Sequence, residues 1–143
     1  MSIRSETPIS PIDFFMVETR IFYTSLEKDG YILTKVKPDS EILLQDAKDN
    51  TAAVIKVSGD SNFPILVDLR QIKSISKEAR DHFSMRGRKP HVTAIAMLVK
   101  SPVSRIIGNF FLGLNRPTVP TRLFTSEVDA KTWMKRNTEL GEE

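Results

Sequence analysis

Asp68, Leu69 and Arg70 close a short apolar run, Pro64-Ile65-Leu66-Val67-Asp68-Leu69, and set a carboxylate and a guanidinium at its carboxyl end. Ligands of open α/β sheets collect beyond the carboxyl ends of strands, so this pair marks one place where chemistry could occur. Ser74, Ser76 and Arg80 follow closely. A serine at a helix start stands beside amide N–H groups that favour an anion. The same residues have a plainer use: Asp68 can accept from loop amides and Ser76 can cap a helix. Next come Arg86, Arg88, Lys89 and His91, a basic turn able to hold a phosphate, nucleic acid or an acidic partner surface. Here too there is a structural alternative, because cations suit the carboxyl end of a helix.

The signatures of most enzyme classes are missing. The chain has no Gly-x-Ser-x-Gly elbow, no Gly-Lys-Ser phosphate loop, no Gly-x-Gly-x-x-Gly and no His-Glu-x-x-His. It has 0 cysteines, which excludes disulfides, thiolate metal sites and a cysteine nucleophile. Its 2 histidines, His82 and His91, lack ligand spacing and read as surface residues. No cofactor or metal is expected, and the chain reads as a non-enzyme.

One segment is unusual in another way. Ile106, Ile107, Phe110, Phe111, Leu112 and Leu114 make a helical stretch apolar nearly all round, whereas a surface helix should spare one face. Ile107, Phe110, Phe111 and Leu114 are candidates for an interface with a protein partner, a second copy or a lipid-like ligand. The alternative is a helix buried between sheet and neighbours.

The elements that must position these residues follow from local pattern. Phe14 to Leu26 is β-branched and aromatic and reads as a strand. Lys28-Asp29-Gly30 turns the chain, and Tyr31 to Val36 returns as the second strand of an antiparallel hairpin. Pro38 ends it, and Asp39 or Ser40 should cap a helix over roughly 40–57. The runs at 64–69 and 92–99 read as strands buried on both faces. A helix should run from Ser76 to near Gly87. Ser101-Pro102 starts another, reaching about Leu114. Arg122 to Phe124 is a short strand, and Ser126, with Asp129 three residues on, caps a last helix whose Ala130, Trp133 and Met134 face inward. The order predicts an α/β fold: a mixed sheet of about five strands with about four helices.

At 143 residues the chain fits one domain with a core of its own. Hydrophobic residues are 40% and charged residues 27%, ordinary for a globular protein. The net charge of +3 hides a pattern: residues 1–69 hold 7 basic and 11 acidic side chains, and residues 70–91 hold 7 and 2. Residues 100–122 hold 4 basic and 0 acidic side chains, so a positive face is expected between acidic ends. Nucleic acid is a poor match for it, since no aromatic stacking platform accompanies the charge. No apolar run approaches a bilayer span, and Met1 to Pro11 lacks the apolar stretch of a signal peptide. The expected layout is a flexible arm at 1–13, a domain at 14–138 and a flexible tail at 139–143, in a cytoplasmic protein.

Pro64-Ile65-Leu66-Val67-Asp68-Leu69, a helix start some seven residues on, and Val92 to Val99 together resemble the STAS (SpoIIAA-like) superfamily. So does the close of the chain: Leu123-Phe124-Thr125-Ser126-Glu127, then Asp129-Ala130 and Trp133-Met134, as in the bacterial STAS-like proteins of unknown function. The resemblance implies a SpoIIAA-like fold and a regulatory, partner-binding role. In the antagonist branch an Asp-Ser pair opens the helix after this strand, and that serine is phosphorylated. Here Ser76 matches the aspartate, Lys77 the serine and Ala79 the usual glycine. A kinase-driven switch thus lacks its acceptor, and Ser74 and Ser76 are the nearby hydroxyls. A small-molecule or lipid-binding domain, using the apolar third helix to line a pocket, is the other reading.

Overall fold

The computed structural model describes residues 15–84, 92–115 and 119–141, with side chains at all of these except 15, 114, 115 and 138–141. Twelve elements follow in order: β1 (Phe15–Glu18), β2 (Phe22–Leu26), β3 (Ile32–Val36), β4 (Ser40–Ile42), α1 (Leu44–Ser58), β5 (Phe63–Asp68), β6 (Ile72–Ile75), α2 (Lys77–Phe83), β7 (Val92–Leu98), α3 (Pro102–Asn115), β8 (Thr121–Phe124) and α4 (Glu127–Gly141). The main sheet has six strands in the order β1-β2-β3-β5-β7-β8. The first three are antiparallel, and β3, β5, β7 and β8 run parallel. Among the described residues the fold is a mixed α/β sheet carrying four helices.

The opening strand is two strands. Thr19 closes a tight turn with Phe22 through its amide (2.9 Å to the carbonyl) and its Oγ1 (3.2 Å from the Phe22 amide), and the chain doubles back. A β-branched run does not reveal such a turn, because the turn uses a threonine that also suits a strand. The next turn is the expected one, with Gly30 at φ 87°.

Ser40 does not cap a helix. It begins β4, which pairs parallel with β6 in a separate two-stranded sheet. Asp39 enters it at φ 56°, a conformation aspartate tolerates, and its amide bonds Gln71 O at 2.9 Å. Helix α1 starts later, where the Leu43 amide donates to Asp46 Oδ2 at 2.9 Å. Asp46 is buried, and Arg20 at the tip of the β1–β2 turn grips it with Nε at 2.9 Å and Nη2 at 2.5 Å. Burial alone would raise the Asp46 carboxyl; the Arg20 guanidinium and the Leu43 amide outweigh it and hold it below its ordinary value.

Parallel register sets the faces. Ile32, Ile65 and Ile95 share one row, and Thr34, Val67, Met97 and Leu123 the next. Helices α1, α2 and α3 lie on this side, with Ala47, Ala79 and Ile107 in one core with Met97. Between α1 and the sheet, Thr24, Thr34 and Asn50 form a buried polar knot. Thr24 Oγ1 and Thr34 Oγ1 are 2.9 Å apart, and Asn50 Nδ2 donates to them at 3.2 and 2.7 Å. Helix α4 covers the other side, where Ala130 and Met134 pack with Leu66, Ala96 and Leu98. Trp133 stacks near Phe124, ring centroids 5.6 Å apart, as the inward pattern predicted.

Ser76, Ser101 and Ser126 cap their helices as expected, each accepting from the amide three residues on. Helix α2 is shorter than expected: it ends at Phe83, and the Ser84 amide returns to Arg80 O at 3.0 Å. Helix α4 carries regular structure past residue 138 to Gly141. The arm at 1–13 and the basic turn with Arg86, Arg88, Lys89 and His91 lie outside the described residues.

Candidate functional site

The cluster expected around Asp68 is divided by the sheet. Asp68 ends β5 on the α4 side, in register with Leu98 and Lys35. Its oxygens accept from Arg70 three times: the amide at 3.1 Å, Nε at 3.0 Å and Nη2 at 2.8 Å. Arg70 also reaches Glu127 at 3.8 Å, and Glu127 meets Lys131 at 3.1 Å. Lys131 lies over the Tyr31 ring, 5.7 Å from its centroid. The result is an open chain of two carboxylates and two cations, Asp68–Arg70–Glu127–Lys131.

Burial favours the neutral form of Asp68, but the Arg70 guanidinium, the Arg70 amide and the nearby Lys35 charge hold its carboxyl below the ordinary value. Burial raises the Tyr31 hydroxyl, and Lys131 only partly offsets this. A base would need a raised carboxyl, and an anion site would need a free guanidinium. Asp68 and Arg70 offer neither. Their arrangement fastens the β5–β6 connection to the start of α4.

Ser74, Ser76 and Arg80 sit on the opposite side. Ser74 lies in β6 beside Glu41 of β4. Ser76 Oγ accepts from the Ala79 amide at 3.1 Å, so its hydroxyl is engaged as a cap. His82 Nε2 is 2.9 Å from Thr51 Oγ1, which ties α2 to α1. Among the described residues there is no group of three or more metal-ligating side chains.

Arg80 is different. Its guanidinium lies over the Phe110 ring, 5.4 Å from the centroid, and so joins α2 to α3. Phe110 meets Phe111 edge-on at 5.3 Å, and Phe111 meets Phe83 at 5.8 Å. This aromatic chain holds Phe110 in place from two directions.

Helix α3 has two distinct sides. Ile107 is 7% exposed, and Phe111 and Leu112 pack against the same core. Gly108 lets the helix backbone approach the sheet: a Cβ there would stand 2.9 Å from Leu123 Cδ2 and 3.0 Å from Val99 Cγ1. That contact leaves no gap for an apolar ligand beneath Gly108. The outward side carries Ile106 at 69%, Val103 at 42% and Phe110 at 38% exposed. Of the four candidate interface residues, Phe110 faces outward and Ile107 and Phe111 face the core. The side chain of Leu114 lies outside the described residues. Val103 lies outside the apolar stretch read from the sequence, and Ile106 lies within it but outside the four candidates, although i, i+3 and i+7 spacing from Val103 to Phe110 marks one helical face. No helix among the described residues is long and apolar enough to cross a membrane.

Comparison with solved structures places the fold. An uncharacterized protein from Shewanella loihica PV-4, of the DUF3478 family with a SpoIIAA-like fold, is 12% identical with a TM-score of 0.56; the match covers 85% of this chain and 92% of that one. An anti-sigma factor antagonist from Mycobacterium paratuberculosis is 19% identical with a TM-score of 0.52, covering 88% and 97%. A protein of unknown function from Arthrobacter sp. FB24 is 31% identical with a TM-score of 0.30, covering 78% and 97%. No curated protein matches the sequence. Residues 24–138 match a family model described as a domain of unknown function, DUF7793, and the chain belongs to that family.

Proposed function

We propose that this member of the DUF7793 family is a non-catalytic interaction module of STAS type that binds a partner across α2 and α3. The observation that carries this reading is the outward face of α3, where Val103, Ile106 and Phe110 stand exposed beside Arg80. Contiguous exposed apolar side chains on a folded domain mark interaction surfaces. Two further points support it. The residues best suited to acid–base work, Asp68 and Arg70, are consumed by each other. A protein of the same fold is an anti-sigma factor antagonist. With 0 cysteines the chain suits the reducing cytoplasm, where we place it.

The test is native mass spectrometry of the full chain purified from its own host, beside a denatured spectrum. The expected result is the bare chain mass in the denatured spectrum and a stoichiometric protein partner in the native one. The Arg80→Glu variant should lose that partner while its circular dichroism stays native. A retained apolar or phosphorylated small molecule would overturn the module reading in favour of ligand binding. An added covalent phosphate would direct attention to Ser74 and Ser76.

A further inference from the structure

Interaction modules differ in what they accept, and the charges around α3 narrow the choice. Helix α3 contains no acidic residue, and Arg105, one position before Ile106, is exposed. Arg80 flanks Phe110 from α2. Five other cations are paired: Arg20 to Asp46, Lys37 to Glu18, Arg70 to Asp68, Lys77 to Asp81 and Lys131 to Glu127. Among the described residues, Arg80 and Arg105 have no carboxylate within ion-pair distance. Arg80 thus borders the apolar stripe at Phe110, and Arg105 stands exposed one residue before Ile106, each without a carboxylate of its own.

Resting on the interaction-module reading, we infer that this face receives an amphipathic helix of another protein whose apolar stripe is flanked by Asp or Glu. Val103, Ile106 and Phe110 follow the i, i+3, i+7 spacing with which one helix presents a ridge to another. Phe110 is held by Arg80 and Phe111 before any partner arrives, so little side-chain freedom is lost on binding. Aromatic and arginine anchors of this kind dominate protein interfaces. A second copy fits poorly, because α3 carries no acid to meet Arg80 or Arg105 of the other copy. A bilayer surface fits less well than a helix because the stripe is narrow and the flanking cations are few.

The experiment titrates isotope-labelled full-length protein with two synthetic amphipathic helices of about 18 residues, five turns each. Both carry the same leucine face; one is flanked by glutamate and the other by lysine. Phosphatidylglycerol vesicles and sedimentation velocity complete the set. We expect the glutamate peptide to shift the amides of Val103 to Phe110 and of Arg80, with affinity falling as salt rises. Ile106→Asp should weaken it about tenfold or more, and Arg105→Gln by about threefold to tenfold. Ile106 and Arg105 are both exposed, so each variant should keep the native spectrum. Absence of binding by the glutamate peptide, equal binding of both peptides, or shifts on another face would overturn the inference. So would vesicle binding, or a wild-type dimer, that Ile106→Asp abolishes. A native partner retained in full by Ile106→Asp would sink this inference and leave the module reading standing; a protein that never holds a partner would sink the module reading.

Discussion

The two sides of the sheet use charge in opposite ways. On the α4 side, Asp68, Arg70, Glu127 and Lys131 pair in a chain that binds a strand end to a helix start. On the α2–α3 side, Arg80 rests on an aromatic ring, and Val103, Arg105 and Ile106 are exposed. The first side is the one with residue types that resemble a reaction centre, yet its charges pair with one another. The second uses Ser76 as a helix cap and His82 as a tie to α1, and leaves both charge and apolar surface facing outward. A conspicuous cluster of titratable groups is therefore a weaker guide to function than the question of which groups still lack a partner.

The largest effect should separate two neighbours on α3. Ile107→Ala should cost about 2–5 kcal/mol in urea denaturation, since Ile107 is in the core. Ile106→Ala should stay within about 0.5 kcal/mol. Equal losses would mean that the helix presents a different face. Next, Arg70→Ala should cost about 1–3 kcal/mol by stranding the buried Asp68 carboxylate. Arg80→Ala should cost less than about 1 kcal/mol, the value of one partly exposed cation–π contact. If Arg80 proved the costlier, the contrast between the two sides would fail.

A pH series tests the carboxylates behind that contrast. Asp46 and Asp68 both sit below their ordinary value of 3.8 in the folded chain. A depressed folded value contributes stability above the unfolded value and loses it as pH falls through the folded one. Stability should therefore be level near neutrality and decline below about pH 4, with a gentler decline in Arg70→Ala. A decline beginning near pH 6 would point to histidine instead. The smallest effect distinguishes the glycines of α3. Gly113→Ala meets nothing within 4 Å and should stabilise by about 0.4–1 kcal/mol. Gly108→Ala must displace the Leu123 side chain and should gain less or lose stability.

The apolar runs at 64–69 and 92–99 and the serine caps at Ser76, Ser101 and Ser126 could be read directly, because burial and capping are local in sequence. The β4–β6 pair could not. Ser40–Ile42 and Ile72–Ile75 are each too short to carry a pattern and acquire their structure from one another. The same limit applied to the site. Asp68 and Ser76 are near in sequence, but one turn of chain carries them to opposite sides of the sheet. The outward stripe was half visible: Phe110 was selected, while Val103 and Ile106 needed the known roll of the helix against Leu123 and Val99.

The small β4–β6 sheet has a consequence for how the molecule opens. It fixes the chain just before α1 and just before α2, with Asp39 N on Gln71 O and Ser76 N on Ile42 O, each at 2.9 Å. The stretch between these points is a loop closed by its own stem. Neither helix can detach from its starting end until that stem unzips, so α1 and the start of α2 should exchange their amide hydrogens with deuterium as one cooperative unit. The α3 stripe touches that unit where Arg80 lies over Phe110, so a partner seated there should slow its exchange as well.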